Sequence, residues 1–307
     1  MASRVVVFGF GEPLLAALDT FRRLSIAPLA VVVPGNRSGE PIEQTRDAAE
    51  QRGFRVLSQP PRARIAPFLE TIAELRPDFL FVWSYTMLLP DGLLAVARRG
   101  GVNLHAGSLP DYRGGHVLNW ALINGERETA VTLHVIDAGV DTGPVYAERR
   151  VAIEPDDDIL SVHRKLIAAG SSLLYEWWPK IESGEAKAMP QDESRARYYR
   201  MRTADDGRVD WTQSSEQIRN LVRALVAPWP GARTFSGATQ IVLRRVEDVA
   251  GDAPPPVPGT VVRNEPGDLQ VATGSGILRL TAVEIDGRPA DAPSLRSVGV
   301  RPGAVLH

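Results

Sequence analysis

The first two-thirds of the chain alternates short β-branched runs with segments whose apolar residues recur at helical spacing. That alternation limits the fold more than any other feature of the sequence. Arg4–Phe8 and Leu29–Val33 are strand-like runs closed by turn residues, and Pro13–Leu24 between them carries Leu14, Leu15, Leu18 and Phe21 on one helical face. Phe79–Trp83 and Gly101–Leu104 are read as further strands, and Pro67–Leu75 as a helix that stops before Pro77. Strands alternating with helices imply parallel βαβ units in an open sheet, where ligands bind at the carboxyl ends of the strands. Glu128–Val135 and Pro144–Val151 add two strands. Ile159–Ser183 is a long amphipathic helix, expected to break or end near Pro179.

The pattern changes after residue 195. Residues 196–206 are polar without apolar periodicity and are read as a linker. From 207 to 307 a helical piece, Ser215–Val226, leads into short strands with frequent Gly and Pro, including Thr260–Val262, Leu269–Ala272 and Ile277–Ala282. Gly251–Gly259 is read as a stiff surface loop. The expected architecture is α/β: a Rossmann-like, mostly parallel open sheet with flanking helices over 1–195, then a small OB-like β-barrel. With 44% hydrophobic residues the chain can bury a core of that size, and with no cysteine it has no disulfide, zinc–thiolate site or thiol nucleophile. No run approaches the roughly 20 apolar residues of a spanning helix. Met1 leads directly into the first strand, so a soluble, cytoplasmic protein without membrane contact is expected.

Polar groups concentrate in 101–146, GVNLHAGSLPDYRGGHVLNWALINGERETAVTLHVIDAGVDTGPVY. Asn103 and His105 close a strand and, two apart, share one face of it. Pro110, Gly114 and Gly115 shape a tight loop. The turn Asp137–Gly143 follows the next strand and can bring Asp141 to the same cleft. An Asn, a His and an Asp converging there suit acyl transfer to an amine. The imidazole takes a proton near neutral pH, the amide N–H stabilises a developing oxyanion, and the carboxylate orients the imidazole and favours its protonated form. That chemistry needs neither a metal nor a covalent enzyme intermediate. His134 is read as a packed strand residue or one at the cleft edge, and no histidine spacing supports a metal site.

These residues resemble the signature of the N10-formyltetrahydrofolate-dependent formyltransferases: Asn103–His105, Leu109–Pro110, Arg113–Gly114 and Asp137–Gly143 fall in the family's order. The resemblance implies that Asn103, His105 and Asp141 are catalytic and that N10-formyltetrahydrofolate is the co-substrate. It also implies that the pterin lies in a slot lined by Met87, Leu88 and Leu89 and by Asp137, Ala138, Gly139, Val140 and Asp141. Gly11, Tyr85, Ser108, Arg113 and His116 are candidate substrate contacts. The chain departs from the pattern at Gly107, where the family often has Ser; Ser108 comes one residue later. Arg208–Trp211 and Arg223–Ala232 resemble the entry to the family's C-terminal barrel.

The acceptor is read from charge. Enzymes of this family acting on methionyl-tRNA usually carry a basic insertion in the first domain and a basic barrel. Here the loop Pro34–Pro41 has one Arg and one Glu, and from Asp205 onward there are 11 Arg, no Lys and 12 acidic residues. A phosphate-binding cradle is therefore not favoured. Leu118–Glu126, a helix expected to pack on the sheet through Trp120 and Leu122, is similar to the amino-sugar formyltransferases. A nucleotide-linked amino sugar is the preferred acceptor, followed by a small amino-acid-derived amine or methionyl-tRNA. The barrel either frames the acceptor or makes a homodimer contact. A formyltetrahydrofolate hydrolase is a weaker reading, since such proteins usually carry an N-terminal regulatory domain. A nicotinamide oxidoreductase is weaker still: Phe8-Gly-Phe-Gly11 lacks the third glycine of a dinucleotide fingerprint, and no acidic residue ends the second strand.

Overall fold

The computed structural model describes residues 3–35, 40–90, 92–249 and 257–307. In chain order the first elements are β1 (Val5–Gly9), α1 (Gly11–Arg23), β2 (Ala30–Pro34), α2 (Glu40–Gln51), β3 (Val56–Gln59), α3 (Ala66–Glu74), β4 (Phe79–Trp83), α4 (Leu93–Val96) and β5 (Gly101–His105). Next come β6 (Arg113–Gly114), α5 (Val117–Ile123), β7 (Glu128–Ile136), β8 (Val145–Ala152), α6 (Ile159–Ser183) and β9 (Tyr198–Tyr199). The remainder is α7 (Ser215–Arg223), β10 (Ala232–Ser236), β11 (Thr239–Val249), β12 (Val261–Glu265), β13 (Asp268–Ala272), β14 (Ile277–Ile285), β15 (Arg288–Pro289) and α8 (Ala292–Ser297). The residues form two compact units. One holds the chain up to Gly114 with Glu128–Val151 and Arg164–Tyr199; the other holds Gly115–Arg127, Ala152–His163 and Arg200–His307.

The first unit is built on a seven-stranded sheet of order β3-β2-β1-β4-β5-β7-β8. The five strands from β3 to β5 run parallel, and β7 returns antiparallel beside β5. Every residue of β1, β2 and β4 is buried, which explains why these strands read as unbroken apolar runs. One face packs Val6, Phe8, Val32, Leu80 and Val82 against Phe68, Ile72 and Leu93. Elsewhere in this unit Trp178 of α6 is fully buried in edge-to-face contact with Phe21, Phe79 and Phe81. Burial of Trp178 and Ile181 also explains why α6 continues to Ser183 with Pro179 inside it, where the sequence reading expected a break. At the carboxyl ends of β1 and β4 the strands meet closely: a Cβ on Gly9 would lie 2.2 Å from the Trp83 carbonyl oxygen. Phe10 N–H then bonds Ser84 O at 3.2 Å, and Gly11 N–H bonds Thr45 Oγ1 at 2.8 Å.

In the second unit α5 packs against α7, with Leu122 fully buried. Trp120 is only half-buried; its Nε1 donates to Arg200 O at 2.9 Å, while the guanidinium groups of Arg200 and Arg202 lie over its ring. Ser214 and Gln217 close a capping box that starts α7. The strands form an antiparallel sheet of order β10-β11-β14-β13-β12, with β15 beside β14. The last residues bond both free edges. Gly303 N–H donates to Val261 O and Val261 N–H to Ala304 O on the β12 side, while Phe235 and His307 exchange a pair of backbone bonds on the β10 side.

Three stretches differ from their sequence reading. The polar run around 196–206 contains β9, paired in parallel with β6, and a short 3-10 turn at Ala204–Gly207. Two-residue strands leave no periodicity to detect. Neither α2 nor β3 was anticipated; α2 is polar apart from a narrow buried line of Ile42, Thr45 and Ala49. Parts of the Pro34–Pro41 and Gly251–Gly259 loops lie outside the described residues. Among the described residues no helix is long and apolar enough to cross a membrane.

Candidate active site

The antiparallel pairing of β5 with β7 sets Asn103 opposite His134 and His105 opposite Thr132. Residues directly opposite one another share a face of the sheet, so four polar side chains are grouped there. Asp141 reaches this group from the turn after β7. The turn is shaped by Asp137, whose Oδ1 accepts from Gly139 N–H at 3.1 Å and Thr142 Oγ1 at 2.5 Å. It closes where Val135 N–H bonds Pro144 O, so tightly that a Cβ on Gly143 would meet Val135 O at 1.8 Å. Asp141 itself adopts φ +54°, a left-handed conformation that Asp tolerates better than most residues.

The Asp141 carboxylate is the hub of the cluster. Its Oδ2 accepts from Gly114 N–H at 2.9 Å and faces His105 Nδ1 at 3.5 Å. Its Oδ1 accepts from Asn103 Nδ2 at 3.4 Å and lies 3.6 Å from His134 Nε2. Two backbone carbonyls decide the tautomers, because a carbonyl oxygen only accepts. His105 Nε2 lies 2.6 Å from Tyr112 O and therefore carries the hydrogen, which leaves Nδ1 as the basic atom, turned toward Asp141. His134 Nδ1 donates to Val135 O at 2.8 Å, so its Nε2 accepts from Asn103 Nδ2 at 3.0 Å. Both Asn103 N–H groups are thus engaged, the one toward Asp141 by the longer contact.

Burial pushes the His105 imidazole below its ordinary proton affinity. Asp141 works against that shift, His134 adds to it, and the Tyr112 carbonyl opposes it; the net direction is down. Burial disfavours a charged Asp141 as well, but the positive charge that His105 takes up and the Gly114 N–H outweigh it and hold the carboxyl well below the usual carboxylate range. At neutral pH the cluster is therefore a neutral imidazole beside a carboxylate, a pair suited to taking up one proton.

The other sequence candidates are distributed differently. Leu88 and Val140 are exposed apolar side chains, at 80% and 46%. Leu88 stands on a pinned loop, since Gln59 Nε2 donates to Leu88 O and Tyr85 Oη donates to Gln59 Oε1, both at 3.0 Å. Tyr85 is thereby occupied as an anchor against Phe8 and Gln59, and burial pushes its phenol above the usual range. Ser108 Oγ donates to Glu148 Oε2 at 2.9 Å, and Thr132 Oγ1 donates to Gly107 O at 2.7 Å.

Arg113 corrects the sequence reading. It is fully buried, and all five of its N–H groups are used on Gln191 Oε1, both Glu193 oxygens and the Tyr198 hydroxyl. It has no donor left for a substrate. His116 belongs to the second unit, where its Nδ1 accepts from Arg202 N–H at 3.0 Å. The sequence reading gave His134 only as a packed strand residue or one at the cleft edge, and passed over Gln59, Glu148 and Gln191. Only His134 had a signal, since it stands opposite Asn103 once the β5–β7 register is known. Among the described residues no group of three or more His, Asp or Glu side chains is arranged to hold a metal.

Comparison with known proteins agrees with this fold. The formyl transferase family model matches residues 3–177, and the formyl transferase C-terminal domain model matches 202–296. A methionyl-tRNA formyltransferase of Pelobacter propionicus is 37% identical over 300 residues, spanning 94% of this chain and 91% of the relative. Two solved structures share the fold. WlaRD, a sugar 3N-formyl transferase crystallised with dTDP and 5-N-formyl-THF, superposes with a TM-score of 0.70 at 15% identity over 94% of this chain and 99% of its own. The N-formyltransferase of Helicobacter canadensis, in complex with folinic acid and dTDP-3-aminofucose, superposes at 0.69 and 16% identity over 94% and 100%. With both family models matched in order and the Asn103–His105–Asp141 cluster assembled in the N-terminal one, this chain belongs to the formyltransferase family.

Proposed function

We propose that this formyltransferase moves the formyl group of N10-formyltetrahydrofolate to a primary amine at the Asn103–His105–Asp141 cluster, and that the amine belongs to a nucleotide-linked amino sugar. The observation that carries the reading is the geometry of the His105 imidazole, held on Tyr112 O through Nε2 and facing the Asp141 carboxylate through Nδ1.

Exposed apolar side chains on two loops suit a folate. Leu88 offers an apolar side chain on an anchored loop, Val140 another on the Asp137–Gly143 turn, and backbone groups of both loops can pair with a flat heterocycle. The folate supplies an activated formyl carbon. Nδ1 of His105 takes the proton that the attacking amine loses and passes it to N10 of the folate as the bond between N10 and the formyl carbon breaks; Asp141 stabilises the imidazolium in between. Asn103 turns its weaker N–H, the one 3.4 Å from Asp141, toward the oxygen that becomes negative. His134 keeps the Asn103 amide oriented through the second N–H.

The balanced charge of residues 205–307, 11 Arg against 12 acidic residues, supports a small acceptor. The 37% identity to a methionyl-tRNA formyltransferase favours a second reading, in which the amine is that of methionyl-tRNA. Mass spectrometry of reactions with a panel of amines tests both. Formylated sugar nucleotide supports the first reading. Formylated methionyl-tRNA supports the second, and folate turnover in buffer alone refutes transfer to an amine.

A further inference from the structure

Gln191 lies 50 residues beyond Asp141 in sequence, outside every motif that marks the site. Its side-chain amide nevertheless donates both hydrogens to the Asp141 turn: Nε2 bonds Asp141 O at 2.8 Å and Gly143 O at 2.7 Å. Its Oε1 accepts from Nε and Nη2 of Arg113, at 3.1 and 2.8 Å. Arg113 is fixed in turn by the two oxygens of Glu193, at 2.9 and 2.7 Å, and by Tyr198 Oη at 2.8 Å. Arg113 also carries the peptide link to Gly114, whose N–H holds the Asp141 carboxylate. One side-chain network therefore grips Asp141 twice, by its own carbonyl through Gln191 and by its carboxylate through Gly114.

We infer that Gln191 is a positioning residue, which sets the distance between Asp141 and His105 and thereby the proton affinity of His105. The inference rests on the proposed role of the His105–Asp141 pair. An amide is the group this position requires, since it must accept from a guanidinium on one side and donate to two carbonyls on the other. A carboxylate keeps the first contact and loses the second, because carboxylate and carbonyl oxygens repel. Withdrawing Asp141 weakens the attraction that raises the His105 proton affinity, so the His105 pKa falls further.

The test uses Gln191→Glu and Gln191→Ala in the full chain, with two readouts. One is the His105 imidazole titration followed by NMR; the other is kcat against pH for formyl transfer. Gln191→Glu, which retains the Arg113 contact, is expected to stay folded with a lowered melting temperature, since it loses the two bonds to the Asp141 turn. Its His105 titration and the acid limb of kcat move to lower pH, and kcat falls roughly 10- to 100-fold, as a displacement of about 1 Å in a reacting group entails. KM for the acceptor stays within about threefold. Gln191→Ala gives the same direction of shift. A purely structural role lowers the melting temperature and leaves the His105 titration and pH profile unmoved, and that result overturns the inference. If the titration shifts while no amine is formylated by the wild type, the positioning role stands and the proposed reaction fails. If transfer is robust and the titration is unmoved, the reverse holds.

Discussion

Replacing Asp141 by Asn isolates the charge of the carboxylate from its shape. Asn occupies left-handed φ as readily as Asp, so the turn at φ +54° is retained, and its Oδ1 can still accept from Gly114 N–H. What is lost is the attraction between the carboxylate and the imidazolium that forms 3.5 Å away. At an effective dielectric of about 20, two unit charges at that distance interact by ~5 kcal/mol. In the transition state the proton is only partly transferred, so about half of this is felt there, or ~2–3 kcal/mol. That corresponds to a fall in kcat of about 30- to 150-fold. The acid limb of the kcat profile moves to lower pH as well, because His105 loses the neighbour that raises its proton affinity. Steady-state formyl transfer measured across pH, with the melting temperature as a check on folding, reads both effects. A loss below threefold with an unmoved acid limb would refute the electrostatic role given to Asp141.

Other perturbations probe separate parts of the account. Leu88→Ser, at an exposed position, is expected to raise KM for the folate several-fold and leave the melting temperature unchanged; unaltered folate kinetics would remove Leu88 from the slot. Arg113→Met leaves Gln191 Oε1 and Tyr198 without their partner. It should cost about 2–3 kcal/mol of stability, less than the full penalty for breaking a buried ion pair because Glu193 reaches solvent. Denaturant titration checks it, and a cost below about 0.5 kcal/mol would contradict the burial argument. Stability should also decline as pH falls below the ordinary histidine value of 6.5, since the unfolded chain then binds a proton that buried His105 resists. Asp141 acts in the same direction at lower pH: its stabilisation, complete above the usual carboxylate range, is lost as its depressed folded pKa is approached. His105→Gln should flatten the slope between pH 6.5 and 5, and an unchanged slope in thermal melts would argue against a buried neutral imidazole.

How much of this was legible in the sequence follows from how each feature is encoded. β1, β2 and β4 are buried on both sides, so they appear as continuous apolar runs of strand length. Asn103 and His105 stand two apart on one strand, and the Asp137–Gly143 turn marks itself by its Gly and Asp residues. The remaining features depend on partners far away in sequence. His134 joins the cluster through the register of an antiparallel return, which spacing alone does not determine. Arg113 follows a tight loop and reads as a candidate substrate contact, yet it is buried and bonded to Gln191 and Glu193, 78 and 80 residues further on. α6 runs through Pro179 because tertiary burial of Trp178 outweighs the local cost of the proline.

The central claim is that His105 takes up the proton as a formyl group passes from folate to an amine. A single-turnover experiment with N10-formyltetrahydrofolate carrying a labelled formyl carbon tests it most directly, comparing wild type and His105→Ala at saturating folate. The account predicts labelled formamide on the acceptor amine, formed at least about a hundredfold more slowly by the variant. Equal rates, or label released as free formate with the amine present, would contradict it.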